Sequence, residues 1–227
     1  MISGDAQLWA IIGRSLAVSG LATLLGFTIG AALGAWLAVA RFAGRGVILT
    51  LLNAMLALPS VVVGLLVYLL LSRSGPLGFL GWLFSFKAMV LAQTILVLPI
   101  VAAWVRQAIE DADRSHGEQL TAMGAEQGMR GALLLLNERF VLLTIAIAAF
   151  GRAIAEVGAV MIVGGNIDGF TRVMTTAIAL ETSKGDLPLA LGLGLVLMLI
   201  VLGLNALIAL IKNWREKREM YAGAVGV

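Results

Sequence analysis

The sequence of 227 residues has no cysteine and only one histidine, His116. The missing thiols exclude disulfides, thiolate metal sites and a cysteine nucleophile, and one imidazole cannot build a histidine-rich metal site. Charged residues are also scarce, at 13% of the chain, whereas soluble proteins carry about 25%. Hydrophobic residues make up 60% of the chain, more apolar surface than a soluble fold of this length can bury. The composition therefore predicts an all-α, polytopic membrane protein.

Five runs of the sequence are long and apolar enough to cross a bilayer, which takes about 20 helical residues. The predicted spans are residues 15–40, 47–71, 88–108, 140–163 and 187–211. The connections on one side of these spans, with the C-terminal segment, carry ten lysines and arginines, against five on the other side. Since basic residues concentrate in the cytoplasm, we expect the N-terminus outside, the C-terminus inside, and one multi-pass domain in the cell (inner) membrane.

Small and polar side chains within the first three spans are candidates for helix packing or for a solute pathway. Six small residues share one face of the first span: Ser15, Ser19, Thr23, Gly26, Gly30 and Gly34. Such a face allows helix backbones to approach closely, and its hydroxyls could alternatively line a path for a polar solute. Pro59 and Pro99 lie inside the second and third spans, where each frees a backbone carbonyl that needs a partner within the bundle.

Two charged residues, Arg152 and Glu156, lie within the fourth predicted span. Their spacing of four residues predicts one helical face. Because an isolated charge inside the membrane is costly, they either form an ion pair that orients the helix or line an aqueous cavity. In the second interpretation Arg152 attracts an anion and Glu156 prevents the anion from being trapped tightly.

The stretch 109–139 is too charged to span a membrane and too short for a domain. The spacing of Leu120 and Met123 predicts a short amphipathic helix, Gly124 predicts a bend, and the next apolar run predicts a second short helix. A solvated loop on the membrane surface is the alternative. A further short helix is predicted around residues 173–182, between spans four and five.

The segment EQLTAMGA, which begins at Glu118, resembles the loop motif of binding-protein-dependent ABC importer permeases. That motif reads Glu-Ala-Ala, three residues, then Gly, with a proline further on. Glu118 and Gly124 match it, whereas Gln119 and Leu120 replace the two alanines and Asn137 stands where the proline is expected. The position of the segment, before the penultimate span, is where the family places its loop.

Four further segments are similar to the molybdate and tungstate branch of these permeases. They are Leu58–Leu65, Ser72–Gly78, Ala92–Ile100, and Gly151–Ala159 with Gly164–Ile167. The resemblance implies a type I ABC importer permease fold that translocates an oxyanion, tungstate above all. It also implies a coupling helix in the cytoplasmic loop 109–139, a second permease copy, two copies of an ABC ATPase and an extracytoplasmic binding protein. The sequence has no phosphate-binding loop of its own, so an ATPase subunit would have to be separate.

The candidate site residues fall into two groups. ATPase coupling is assigned to Glu118, Leu120, Met123, Gly124 and Ala125. The translocation pathway is assigned to Ser15, Ser19, Thr23, Pro59, Ser60, Arg152, Glu156 and Asn166. No catalytic residue, metal, cofactor or nucleic-acid partner is expected. The alternatives are a molybdate or other ABC permease, an ion-driven secondary transporter, a membrane scaffold and, last, an integral membrane enzyme.

Overall fold

The structure is a computed structural model that describes residues 6–225, with side chains described up to residue 214. Every regular element in this range is helical, which confirms the all-α prediction for it. The helices are α1 Ala6–Val39, α2 Arg45–Leu56, α3 Ser60–Leu71, α4 Phe86–Ala122, α5 Gln127–Asn137, α6 Arg139–Ile154, α7 Gly158–Gly164, α8 Met174–Lys184 and α9 Leu187–Val225, with a 3₁₀ turn at Gly78–Leu80. Helices α1, α4 and α9 are each long and apolar enough to cross a membrane. The number of such spans within the described range reaches five if the bent pairs α2–α3 and α5–α6 each count as one.

The centre of the molecule is the contact between α1 and α4. A Cβ atom on Gly30 would lie 2.9 Å from the Leu98 carbonyl oxygen, and one on Gly34 would lie 2.5 Å from that of Ala102. No side chain fits at these distances, so the two backbones touch along the glycine face. The small residues of the first predicted span thus bring α1 and α4 together.

Two of the predicted continuous spans are broken in the structure. Helices α2 and α3 meet at an angle of 102°, and Pro59, with extended backbone, immediately precedes α3. Proline disfavours helical backbone in the residue before it and lacks the N–H that a continuous helix needs, so the break follows from the sequence. The fourth predicted span is divided between α6, which ends at Ile154, and α7, which begins at Gly158.

Helix α4 is longer than the sequence pattern predicts. It continues through Pro99 to Ala122, so the separate short helix expected after residue 109 is instead the end of α4. Ile109 and Ala112 are buried in the same core cluster as α1 and α5, which explains why the helix does not end at the membrane boundary. The predicted bend and second short helix are present as residues 123–126 and α5, and the helix expected at 173–182 is α8.

Helices α3 and α7, which each follow a break, cross at very close range. A Cβ on Gly64 would lie 2.7 Å from the Ala159 Cα, and a Cβ on Gly158 would lie 2.7 Å from the Val61 Cγ2. The crossing places the beginnings of α3 and α7 side by side. The two breaks in the chain therefore lie next to each other.

Candidate functional site

The motif that begins at Glu118 forms an exposed turn at the end of α4, which we call the elbow (residues 118–126). Gly124 has a φ of +83°, a left-handed conformation that glycine adopts at little cost. Its amide donates to the Thr121 carbonyl and the amide of Ala125 donates to that of Leu120, both at 2.9 Å. These two bonds make a Schellman motif, which ends the helix and turns the chain. Gly124 therefore determines the shape of the elbow.

The elbow exposes an apolar side chain, and contacts between α5 and α4 hold its backbone in place. Met123 at its tip is 83% exposed, and a methionine side chain adapts readily to a partner surface. Arg130 ties α5 to α4, because its Nε lies 3.0 Å from Asp113 Oδ1 and its Nη1 donates to the Thr121 hydroxyl at 3.2 Å. Glu118 is exposed and lines a groove of about 850 Å³ beside this ion pair. The arrangement can dock a protein partner through Met123 and the groove.

A second ion-pair cluster joins α2 to the same end of α4. Glu110 accepts from Arg106 at 2.7 Å and from Arg45, which also donates to the Leu37 carbonyl of α1. The carboxylate thus joins arginines of two helices. This cluster and Arg130 therefore tie the polar end of α4 to α1, α2 and α5.

The break between α6 and α7 contains the charged pair found in the sequence. Arg152 Nη1 lies 3.1 Å from Glu156 Oε2, but α6 ends at Ile154, so the two residues do not share one helix as the spacing predicted. Glu156 is 5% exposed, and its Oε1 accepts the Ala159 amide at 3.3 Å, at the start of α7. The carboxylate therefore neutralises Arg152 and partners an amide that α7 leaves without a helical acceptor.

Two further side chains satisfy carbonyl groups at the break. Gln93 of α4 donates from Nε2 to the Ala153 carbonyl at 2.9 Å, and Thr175 of α8 donates to the Glu156 carbonyl at 2.8 Å. A broken helix inside a membrane requires such partners for its backbone groups. Neither residue is among the candidates predicted from the sequence. The signal for Gln93 was available, since an amide side chain within the apolar run 88–108 needs a partner.

A narrow cleft connects the two breaks. Its lining includes Leu58, beside the first break, together with Gln93, Arg152 and Glu156. The volume is about 40 Å³, enough for a few water molecules at roughly 10–15 Å³ each. Of the predicted pathway residues, Arg152 and Glu156 line this cleft, and exposed Pro59 adjoins Leu58. The three polar side chains share the cleft with seven apolar residues, and a site between discontinuous helices is typical of solute binding in transporters.

The other predicted pathway residues lie elsewhere. Ser15 is buried and accepts the Met174 amide at 2.7 Å, which joins α1 to the start of α8. Ser19 and Thr23 are also buried, at 2% and 7% exposure. Asn166 has a φ of +49°, and its amide donates to a carbonyl of α8. The structure therefore groups these residues with the packing of α1 and α8, not with the cleft.

Ser60 is the predicted pathway residue at the crossing of α3 and α7. It is half-buried, and a Cβ on Gly158 would lie 3.0 Å from its hydroxyl oxygen. Ser60 therefore packs against the start of α7, close to the two breaks.

Comparisons with known proteins identify the family of this chain. Residues 26–220 match the family model described as binding-protein-dependent transport system inner membrane component. The tungstate uptake system permease protein TupB of Peptoclostridium acidaminophilum is 39% identical over 92% of this chain and 91% of its own length. A probable anion ABC transporter permease protein of Haloferax volcanii is 39% identical over 90% of this chain and 91% of its own.

A more distant relative carries a different solute in its name. The molybdenum transport system permease protein ModB of Escherichia coli (strain K12) is 31% identical over 96% of this chain and 98% of its own length. The family match and the relatives each cover most of the chain. The chain therefore belongs to the binding-protein-dependent transport system inner membrane components, the permease subunits of ABC importers.

Proposed function

We propose that this chain is the membrane-spanning subunit of an ATP-driven importer for tungstate, with molybdate as the alternative solute. The elbow is the observation that carries the proposal. Its motif residues form one exposed turn, with the glycine that shapes it and an ion pair that fixes it. The choice of tungstate is supported by the name of a relative that is 39% identical over 92% of the chain. ModB, at 31% identity, supports the alternative.

In this proposal the chain crosses the cell (inner) membrane five times, with the N-terminus outside and the C-terminus inside. Residues 109–139 then form the cytoplasmic coupling segment, in which Glu118, Leu120, Met123, Gly124 and Ala125 contact an ABC ATPase. Two permease copies and two ATPase copies assemble, since a closed pair enclosing a path is the simplest symmetric arrangement. An extracytoplasmic binding protein delivers the oxyanion.

The chain offers a clean test of orientation because it has no cysteine. Phe79, in the 3₁₀ turn, is 81% exposed and Met123 is 83% exposed, so the two positions form a matched pair. In intact cells that lack the ATPase subunit, an impermeant thiol reagent should label the Phe79→Cys variant, and it should label the Met123→Cys variant only after the membrane is opened. Labelling of Met123→Cys in intact cells would contradict the proposed orientation.

Transport is tested in vesicles that contain the permease, its ATPase and its binding protein. Tungstate uptake should require ATP, and the Gly124→Leu variant should lose uptake while it remains in the membrane at the wild-type abundance. ATP hydrolysis that no longer moves solute is the expected signature of a damaged elbow. Uptake without nucleotide, or unchanged uptake by Gly124→Leu, would refute an ATPase-coupled elbow. The affinities of the binding protein for tungstate and molybdate distinguish the two solutes.

The proposed pathway passes the cleft between the two breaks, where Arg152 attracts the anion and Glu156 prevents tight binding. Arg152 is the exposed partner of the pair, with 53% of its side chain accessible. Because the cleft of one chain holds only a few water molecules, the path itself forms against a second copy. The Arg152→Ala variant should transport more slowly than the wild type at equal abundance, and equal rates would remove Arg152 from the pathway. In this proposal Pro59 and Ser60 adjoin the pathway at the breaks, and Ser15, Ser19, Thr23 and Asn166 support it from a distance through the packing of α1 and α8.

A further inference from the structure

The break between α6 and α7 is held by side chains from two other helices. Residues 155–157 lie between the helices. Gln93 of α4 bonds the Ala153 carbonyl just before the break, and Thr175 of α8 bonds the Glu156 carbonyl within it. Both side chains are more than 90% buried. A buried hydrogen bond of this kind determines the position of the backbone that it contacts.

Gln93 also retains an unused acceptor. Its Oε1 is buried and has no hydrogen-bond partner within the part of the chain that the structure describes. An unpaired buried acceptor costs free energy, and no donor from the described residues reaches this one in the present arrangement. A shift of the break that brings Arg152 within reach would supply a donor from the described part of the protein. Arg152 lines the same cleft as Gln93.

Helix α4 connects this position directly to the elbow. Gln93 lies near the start of α4 and Met123 follows its last residue. At 1.5 Å per residue, the 30 residues between them span about 45 Å. The helix is uninterrupted over this distance, since it remains helical at Pro99. A displacement of the elbow therefore moves the amide that holds the break.

We infer that the break at residues 155–157 is the moving joint of the permease, and that Gln93 and Thr175 are the positioning residues that hold it closed. The inference rests on the proposed function for its role in transport. In its simplest form, α4 carries the movement of the ATPase contact to the joint through the Gln93 side chain. Opening the joint then changes the surroundings of Arg152 and Glu156.

The joint itself is tested on the full-length permease alone, by amide hydrogen exchange in lipid nanodiscs. The Thr175→Val variant keeps the side-chain shape and removes the bond to Glu156, and Gln93→Met removes the bond to Ala153. Loss of one such bond should speed exchange of amides 154–161 by about fivefold. Thr175→Ser keeps the donor and should exchange at the wild-type rate.

Thr94→Val is the matched control. Thr94 is also buried in α4, but its hydroxyl donates to the Val90 carbonyl of its own helix at 2.8 Å and, at 3.5 Å, to the Ala22 carbonyl of α1, so neither bond involves the break. This variant should leave amides 154–161 unchanged. The inferred joint is refuted if these amides exchange within twofold of the wild-type rate in Thr175→Val. If only Gln93→Met folds, the same result in that variant refutes it. These measurements need no ATPase, so they stand whether or not the proposed function holds.

The role in transport is tested in the reconstituted importer by counting tungstate ions moved per ATP hydrolysed. In Gln93→Met, ATP hydrolysis should continue while the ratio of solute to ATP falls about fivefold, the expected effect of one lost hydrogen bond. A simple loss of folded protein lowers both rates together and leaves the ratio unchanged. A ratio at the wild-type value therefore refutes the positioning role of Gln93.

Discussion

The elbow allows a graded test of one backbone conformation, because Gly124 has open space around it. A Cβ at this position would meet no atom within 4 Å, so a substitution is penalised by its φ of +83° and not by a steric clash. An ordinary L-residue in this conformation costs roughly 1–2 kcal/mol, and asparagine tolerates it better. The stability of the elbow should therefore fall in the order glycine, asparagine, alanine, valine.

If the left-handed conformation costs alanine about 1 kcal/mol, the turn in the Gly124→Ala variant should open about fivefold more often than in the wild type. Amide exchange at residues 123–125 measures this opening directly, because those amides donate to carbonyls of α4. ATP-driven uptake in vesicles should decrease in the same order as the exchange protection. Equal exchange in Gly124→Asn and Gly124→Ala, or an uptake order that ignores the backbone preference, would refute the reasoning.

Three further predictions concern stability, measured by thermal unfolding in detergent. Gly34→Ala should destabilise the folded protein by about 1–3 kcal/mol, because its Cβ would lie 2.5 Å from a carbonyl oxygen. Gly13→Ala, in open space on the same helix, should not destabilise the protein. Equal melting temperatures of the two variants would contradict the α1–α4 contact. Arg130→Met should release α5 and cost about 1–3 kcal/mol, because it leaves the largely buried Asp113 carboxylate without its cation. A loss below about 0.5 kcal/mol would mean that the ion pair with Asp113 does not fix the elbow. A hydrogen bond from Gln7, and then the charge of nearby Arg172, lower the pKa of Asp168. The ionised carboxylate therefore stabilises the fold above the unfolded pKa of about 3.9, and this stabilisation is lost as the pH falls through the lower folded pKa. The melting-temperature advantage of wild type over Asp168→Asn should shrink below about pH 4, and an advantage independent of pH would exclude this linkage.

The sequence predicts the helical class and the approximate positions of the helices because apolar runs and the lack of charge are properties of composition. Pro59 indicates where the second run could break, and Gly124 indicates the turn after α4. Both signals work because they are restrictions on the backbone of a single residue. The family motif is likewise recognisable because it is local in the chain.

The second break and the contacts that hold it could not be predicted in the same way, although the amide of Gln93 in an apolar run indicates that it needs some partner. Nothing in the run 140–163 forbids a continuous helix, and the break at residues 155–157 depends on partners that are distant in the sequence. Gln93 is 60 residues away from Ala153, and Thr175 is 19 residues away from Glu156. The sequence pattern does not show the full length of α4 for a related reason, since the burial of Ile109 depends on neighbouring helices. Such contacts leave no periodic signal in the chain.

The contact between Gly64 and Ala159 restricts how this protein can change shape. Two helices whose backbones meet without intervening side chains cannot slide or rotate past each other at low cost. Helices α3 and α7 therefore travel as one rigid body, and any widening of the molecule at this level takes place around that body and not through it. The hinges are then the two non-helical segments before α3 and α7, residues 57–59 and 155–157.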